Sequence, residues 1–274
     1  MRDRHALNSC PVAAIPGGKV FVDIYLGGIL WVVCAAAGGA LIAYFVRRIG
    51  MAEGRVNNNE AAGHVFTIIA GLHAVLVSFV LISLFDAVGA ADDGSYQEAN
   101  SLVAASWAAE SLPEPASTRA RELSRSYAEI VARQEWPAMG AGDEVSTLGW
   151  ERLNELRVVV ADAAANDEWQ IDRKTEAADQ LARVSQAREA RLTAAGGGEV
   201  GAVLWLVLVV GSVLTVLLSN LFGGTRRTTH ILIVTTLSAV IALLLFAIYQ
   251  LQNPFGGGAQ IGPDAFQWAV DRLR

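Results

Sequence analysis

Apolar residues in this chain gather into four long blocks, Val22–Val46, Gly63–Leu84, Val200–Phe222 and Ile231–Tyr249. Each comes to about the 20 helical residues that a bilayer core of about 30 Å requires. The pattern predicts four transmembrane helices. Between the second and third blocks the pattern changes. From Asp92 to Ala195 apolar positions recur at helical intervals, with no strand-like alternation. Leu123, Tyr127, Ile130 and Val131 fall at i, i+4, i+7 and i+8, one face of an amphipathic helix. Pro113, Pro115 and Ser117 mark its start, and Trp136-Pro137 is expected to end it, because a residue before proline disfavours the α region. Val145, Leu148, Leu153, Leu156, Val159 and Ala163 predict a further helix, and Ile171, Ala178, Leu181, Val184 and Leu192 another. The piece Glu98–Leu112 extends the second membrane helix outward. About four helices then form a small antiparallel bundle. Past the last block, Pro263 opens a short amphipathic helix with Phe266, Ala269, Val270 and Leu273, which lies at the membrane surface or folds back on the bundle.

The expected fold class is therefore all-α: an integral membrane protein with four transmembrane helices and an extramembrane helical bundle inserted between helices 2 and 3. The boundaries are a disordered tail over 1–20, helices 1 and 2 within 22–88, the bundle over 91–197, helices 3 and 4 within 200–250, and a C-terminal tail with its short helix over 251–274.

Composition narrows the class further. The 274 residues are 53% hydrophobic with a mean hydropathy of +0.37, above soluble norms. A net charge of −6 argues against a nucleic-acid partner. Two cysteines, Cys10 and Cys34, give no disulfide framework, and Cys34 is expected as a small packing residue. The first block is too long for a signal-peptide core and ends in Arg47-Arg48, so a retained helix is expected.

Short-loop cations set orientation. Arg47, Arg48 and Arg55 follow the first helix, and Arg226 and Arg227 lie between the third and fourth. Both loops fall on one face and point to the cytoplasm, against Arg2, Arg4 and Lys19 in the tail. The expectation is a multi-pass plasma-membrane protein whose N-terminus and residues 91–197 are extracytoplasmic. The middle segment, with nineteen acids against eleven bases from Asp92 to Ala195, suits a solvated surface.

Small residues favour close helix packing in lipid. They recur as Ala35, Gly39 and Ala43 in the first helix and as Gly63, Thr67, Gly71, Ala74 and Ser78 in the second. The third has Gly211, Thr215 and Ser219, and the fourth Thr235 and Ala239. Leucine at Gly71 is expected to disrupt such a seam. Ionisable groups at membrane depth are costly and default to functional hypotheses. His73 sits mid-way along the second block, Glu60 at one mouth and Asp86 at the other, with Asp92 and Asp93 beyond. The candidate pore wall or polar seam is thus Glu60, Thr67, Gly71, His73, Ser78 and Asp86. Acids at both rims favour cations. His64 and His230 open helices on the same face, a weak metal signal without a thiol or carboxylate partner. No nucleophile–base–acid grouping, phosphate loop or calcium loop is present, so no enzyme, cofactor or metal is expected.

The segments Asn59-Glu60-Ala-Ala-Gly63-His-Val-Phe66, Glu98-Ala-Asn100, Glu135-Trp136-Pro137 and Pro254-Phe255 resemble those of the bacterial bestrophin-like membrane proteins, a domain of unknown function. The resemblance runs from about Tyr25 to Phe266. It implies a distant likeness to bestrophins, oligomeric anion channels whose second membrane helix lines the pore and whose helical region is cytosolic. The arginine loops and acidic mouths point the other way on orientation and ion sign. The function expected is an oligomeric ion channel or transport-related protein; the alternative is a non-transporting membrane scaffold or sensor that binds a partner through its bundle. The expected partners are the lipid bilayer, further copies of the chain, and ions.

Overall fold

In the computed structural model, residues 17–49, 59–197, 200–220 and 227–274 are described. The tail expected over 1–20 lies outside them up to residue 16, as do Cys10, Arg55 and Arg226. Nine α-helices account for most of the described chain. They are α1 (Gly17–Ile49), α2 (Asn59–Ala109), α3 (Ala116–Ile130), α4 (Trp136–Ala141), α5 (Leu148–Asp162), α6 (Glu168–Gly197), α7 (Ala202–Ser219), α8 (Arg227–Leu251) and α9 (Asp264–Arg272). A π-helical turn, Val131–Glu135, joins α3 to α4. No strand occurs among the described residues.

Among the described residues, four helices are long and apolar enough to cross a membrane: Ile24–Val46, the apolar part of Gly63–Ala109, Ala202–Ser219 and Thr228–Leu251. Their outer faces are apolar and exposed, as lipid requires. In the membrane unit α1 packs along α8, and α7 and α2 complete the other side. Buried positions on α7 step through Leu208, Ser212, Thr215 and Ser219, a helical stripe of small and hydroxyl residues. Close approaches occur where glycine permits them. A Cβ on Gly28 would stand 2.7 Å from the Phe246 ring, and one on Gly39 would collide with Ser238. Gly71 differs: nothing lies within 4 Å of a Cβ there, so within one chain it makes no close packing and leucine would fit. Cys34, expected as a packing residue, is likewise exposed.

α2 is a single helix of 51 residues, about 76 Å at 1.5 Å per residue. It leaves the membrane without a break and becomes a wall of the bundle, where α6 runs along it. The bundle core includes Leu102, Leu123, Tyr127, Val131, Leu153, Leu156, Leu181 and Val184. Ile171 and Ala178, assigned to a helix face by period, are exposed.

The helix after Pro115 does not stop at Trp136-Pro137. Proline removes one N–H and crowds the preceding turn. The wider π turn immediately before it absorbs that loss, and the helix continues to Ala141. It ends instead at Gly142, whose φ of 75° permits a left-handed cap with Asp143 N–H bonded to Ala138 O at 2.9 Å. The π turn also inserts one residue, so that Val131, Glu135, Trp136 and Met139 all face the core. After α8 the chain folds back on the bundle, where Phe266, Ala269 and Val270 of α9 are buried.

Candidate functional site

The polar residues at membrane depth lie on different sides of α2. His73 faces α7. Its Nε2 stands 3.1 Å from Ser212 Oγ, and Ser212 donates its one hydrogen to Leu208 O at 2.7 Å. The serine can only accept from the histidine, which assigns the imidazole proton to Nε2. The ring lies over Gly211, with Cε1 3.0 Å from where a Cβ would be. His73 is ten residues, about 15 Å, from Gly63, hence at mid-membrane. Thr67, Gly71 and Asp86 are exposed on the outward face of α2, away from His73. Thr67 and Ser78 each donate to the carbonyl four residues earlier, at 2.9 and 2.8 Å, so their hydroxyls are satisfied within the helix. Ser78 shares a hollow of about 360 Å³ with His73, Ser212 and Thr215. The side chain of Glu60 lies outside the described residues. His64 is exposed, while His230 is buried and pairs through Nε2 with Asn220 Oδ1 at 3.3 Å. Among the described residues no group of three metal-binding side chains occurs.

The strongest polar constellation sits in the bundle instead. Glu98 on α2, Tyr127 on α3, Glu135 in the π turn and Arg188 and Arg191 on α6 are all buried. Arg191 grips Glu98 with two bonds, Nε to Oε2 at 2.8 Å and Nη2 to Oε1 at 3.1 Å. It also reaches Glu135 Oε2 at 3.1 Å. Arg188 grips Glu135 in the same forked way, at 2.8 and 2.6 Å. Tyr127 donates to Glu98 and accepts from Arg188 Nη1 at 3.2 Å. Every carboxylate oxygen therefore has a donor, and the two acids cancel the two arginines.

Aromatic rings close the cluster. The Arg188 guanidinium lies 5.4 Å from Tyr127 and 4.9 Å from Trp150; that of Arg191 lies 5.8 Å from Trp136 and 5.4 Å from Phe266. Trp136 meets Phe255 edge to face at 5.2 Å and donates to Ile261 O at 2.9 Å. Burial opposes the charge on Arg191, but Glu98 outweighs it and holds its pKa above the usual arginine value. Burial, with the Glu98 carboxylate, pushes the Tyr127 phenol well up.

The segment Glu98-Ala-Asn100 contributes one acid, Glu135-Trp136-Pro137 the other acid and a ring, and Pro254-Phe255 a second ring, all to this cluster. The fourth segment, at Asn59–Phe66, lies at the far end of α2. A match to the Bestrophin-like domain spans residues 33–266. The chain belongs to the Bestrophin-like domain family. No curated protein and no solved structure matches it.

In this bestrophin-like protein the cluster is a clamp. It ties α2, α3, the π turn and α6 to α9 and to the exit of α8, and of the two guanidinium groups only Arg188 Nε lacks a partner within it. Sequence reasoning passed over Arg188 and Arg191, although a signal was present. They fall seven and ten residues after Leu181, on the buried face of α6, where an unpaired charge would be costly.

Proposed function

We propose that this bestrophin-like protein is a homo-oligomeric ion channel or a related transport protein, with α2 at the contact between copies. The observation that carries this reading is the outward face of α2. Thr67, Gly71, Asp86, Gly89 and Asp93 are exposed along it, and nothing lies within 4 Å of a Cβ at Gly71 or Gly89. Small residues on a membrane helix favour close approach of another helix. Among the described residues, Val77, Val80, Leu84, Leu208 and Ile248 pack between α2, α7 and α8 at the bundle-side end of the membrane unit. A path for ions would therefore form between copies. Asp86 and Asp93, one helical repeat apart, would ring its bundle-side mouth and favour cations.

The cation-rich loops support an extracytoplasmic bundle in the plasma membrane. Cysteine accessibility at exposed bundle positions in intact cells tests this side assignment. The function is tested by the symmetry of the purified particle and by flux from proteoliposomes. A closed ring with α2 at its axis, together with potassium or chloride flux, supports the channel. A monomer, or liposomes tight to both ions under every gradient, overturns it. A scaffold or sensor is the second reading, favoured by exposed Tyr96, Trp107, Val158, Trp169 and Ile171 on the bundle. It requires a sealed particle that retains a partner.

A further inference from the structure

On the opposite side of the membrane unit, α1 and α7 both lean on α8 but leave a slot between them. Three helical stripes line it. Ile24, Gly27, Trp31, Ala35, Gly38 and Ile42 of α1 form one wall. The far wall is α7, from Trp205 through Val209 and Ser212 to Val216, and the floor is α8, from Ser238 to Gln250. The slot holds two hollows of about 490 and 260 Å³ that share Trp31 and Leu245, and so run on from one another. From Ile24 to Ile42 they follow α1 for about 27 Å, nearly the full hydrocarbon core. One end is amphipathic: Trp205, Tyr249 and Gln250 lie where α7 enters and α8 leaves the membrane on the bundle side, the depth at which aromatic residues with a polar edge sit. The rest is apolar except for Ser212 and Ser238.

From this geometry we propose a specific lipid site: one acyl chain of a phospholipid lies in the slot, entering from the bundle-side leaflet beside Trp205, Tyr249 and Gln250 and passing Trp31 toward Gly38. Water does not fill an apolar slot at hydrocarbon depth. A cavity of about 150 Å³ takes one benzene, so the two hollows have room for a chain. A transmembrane helix, about 10 Å across with its side chains, is far larger. The slot does not involve the outward face of α2, so this inference stands apart from the channel proposal.

Gly27 and Gly38 point into the two hollows, with nothing within 4 Å of a Cβ at either. Gly27→Leu or Gly38→Leu would fill the space without disturbing the α1–α8 contact, and leucine is the better helix former. Of the seven tryptophans, Trp31 and Trp205 line the slot. The test titrates phosphatidylcholine with brominated acyl chains into the delipidated protein in maltoside micelles and follows tryptophan quenching, with the native mass of the untreated protein as a second measurement. The expected results are quenching that saturates at about one lipid per chain, one phospholipid retained in the native mass, and loss of the saturable component in both variants at unchanged particle mass. Quenching that rises in proportion to lipid without saturating overturns the site. Persistence of the saturable component in both variants does the same. A drop in particle mass in the variants would assign the slot to a neighbouring copy, and that also overturns it.

Discussion

Replacing Arg191 with methionine removes one cation from a fully buried, neutral cluster and keeps most of the side-chain volume. Glu98 then loses both forked bonds, at 2.8 and 3.1 Å, and keeps only the Tyr127 hydroxyl, while Glu135 retains Arg188. With the Glu98 side chain fully buried, water cannot replace the lost donors. Breaking a buried pair from one side costs about 3–5 kcal/mol, a large part of the roughly 5–15 kcal/mol that holds a typical domain. The reasoning assigns this cost to the orphaned carboxylate, so Glu98→Gln in the same chain should return part of it. A double-mutant cycle between the two positions should show coupling of about 1–3 kcal/mol. The assay is thermal unfolding in micelles followed by circular dichroism and by tryptophan emission, which reports the bundle through Trp136 and Trp150. For a chain of this size the midpoint should fall by the order of 10 °C. A fall of under about 2 °C, or additive single and double variants, would refute the account of the clamp as an obligate ion pair.

The π turn and α5 meet so closely that a Cβ on Gly149 would stand 2.5 and 2.7 Å from the Arg188 terminal nitrogens and collide with Glu135; Gly149→Ala should cost about 1–3 kcal/mol as overpacking, read as a lower unfolding midpoint. Tyr127, its phenol pushed up by burial, stays protonated when folded, so its stability contribution is whole below the ordinary tyrosine value near pH 10 and is lost as pH rises above it, by about 1.4 kcal/mol per unit. Tyr127→Phe should remove that part of the alkaline decline in the unfolding midpoint, and an unchanged slope counts against the assignment. Gly211→Ala should push His73 off Ser212 at a cost of about 1–3 kcal/mol, with His73→Ala restoring stability in the double variant. Gly39→Leu should separate α1 from α8 and lower folded yield, whereas Gly71→Leu fits within a single chain and should change particle mass alone, so equal loss of folded yield from both would contradict the packing of α2.

Much of the architecture is legible in the chain because the bilayer imposes a length and a polarity on each span. The four blocks, the helical middle segment and the outward extension of the second helix follow from periodicity alone. Local rules misplace the stop at Trp136-Pro137, because a π turn before the proline absorbs its missing N–H. In the sequence the polar residues of the second helix read as one candidate seam. Their helical angles divide them between two faces, and only packing shows which face meets α7. His73 is thereby a partner of Ser212, while Thr67, Gly71 and Asp86 look away from the chain.

The clamp shows the same division. Glu98 and Glu135 stand in short segments that mark the family, but the residues that neutralise them lie 93 and 53 positions away in the chain. Hydrophobic patterning is a local property of a helix face, so the sequence by itself determined the helices and their membrane residence. Charge neutralisation in a dry core is a property of pairs brought together from distant turns. For that reason the tertiary structure alone decided that two acids, two arginines and a tyrosine close into one cluster, and that small residues on α1 and α2 differ in what they touch.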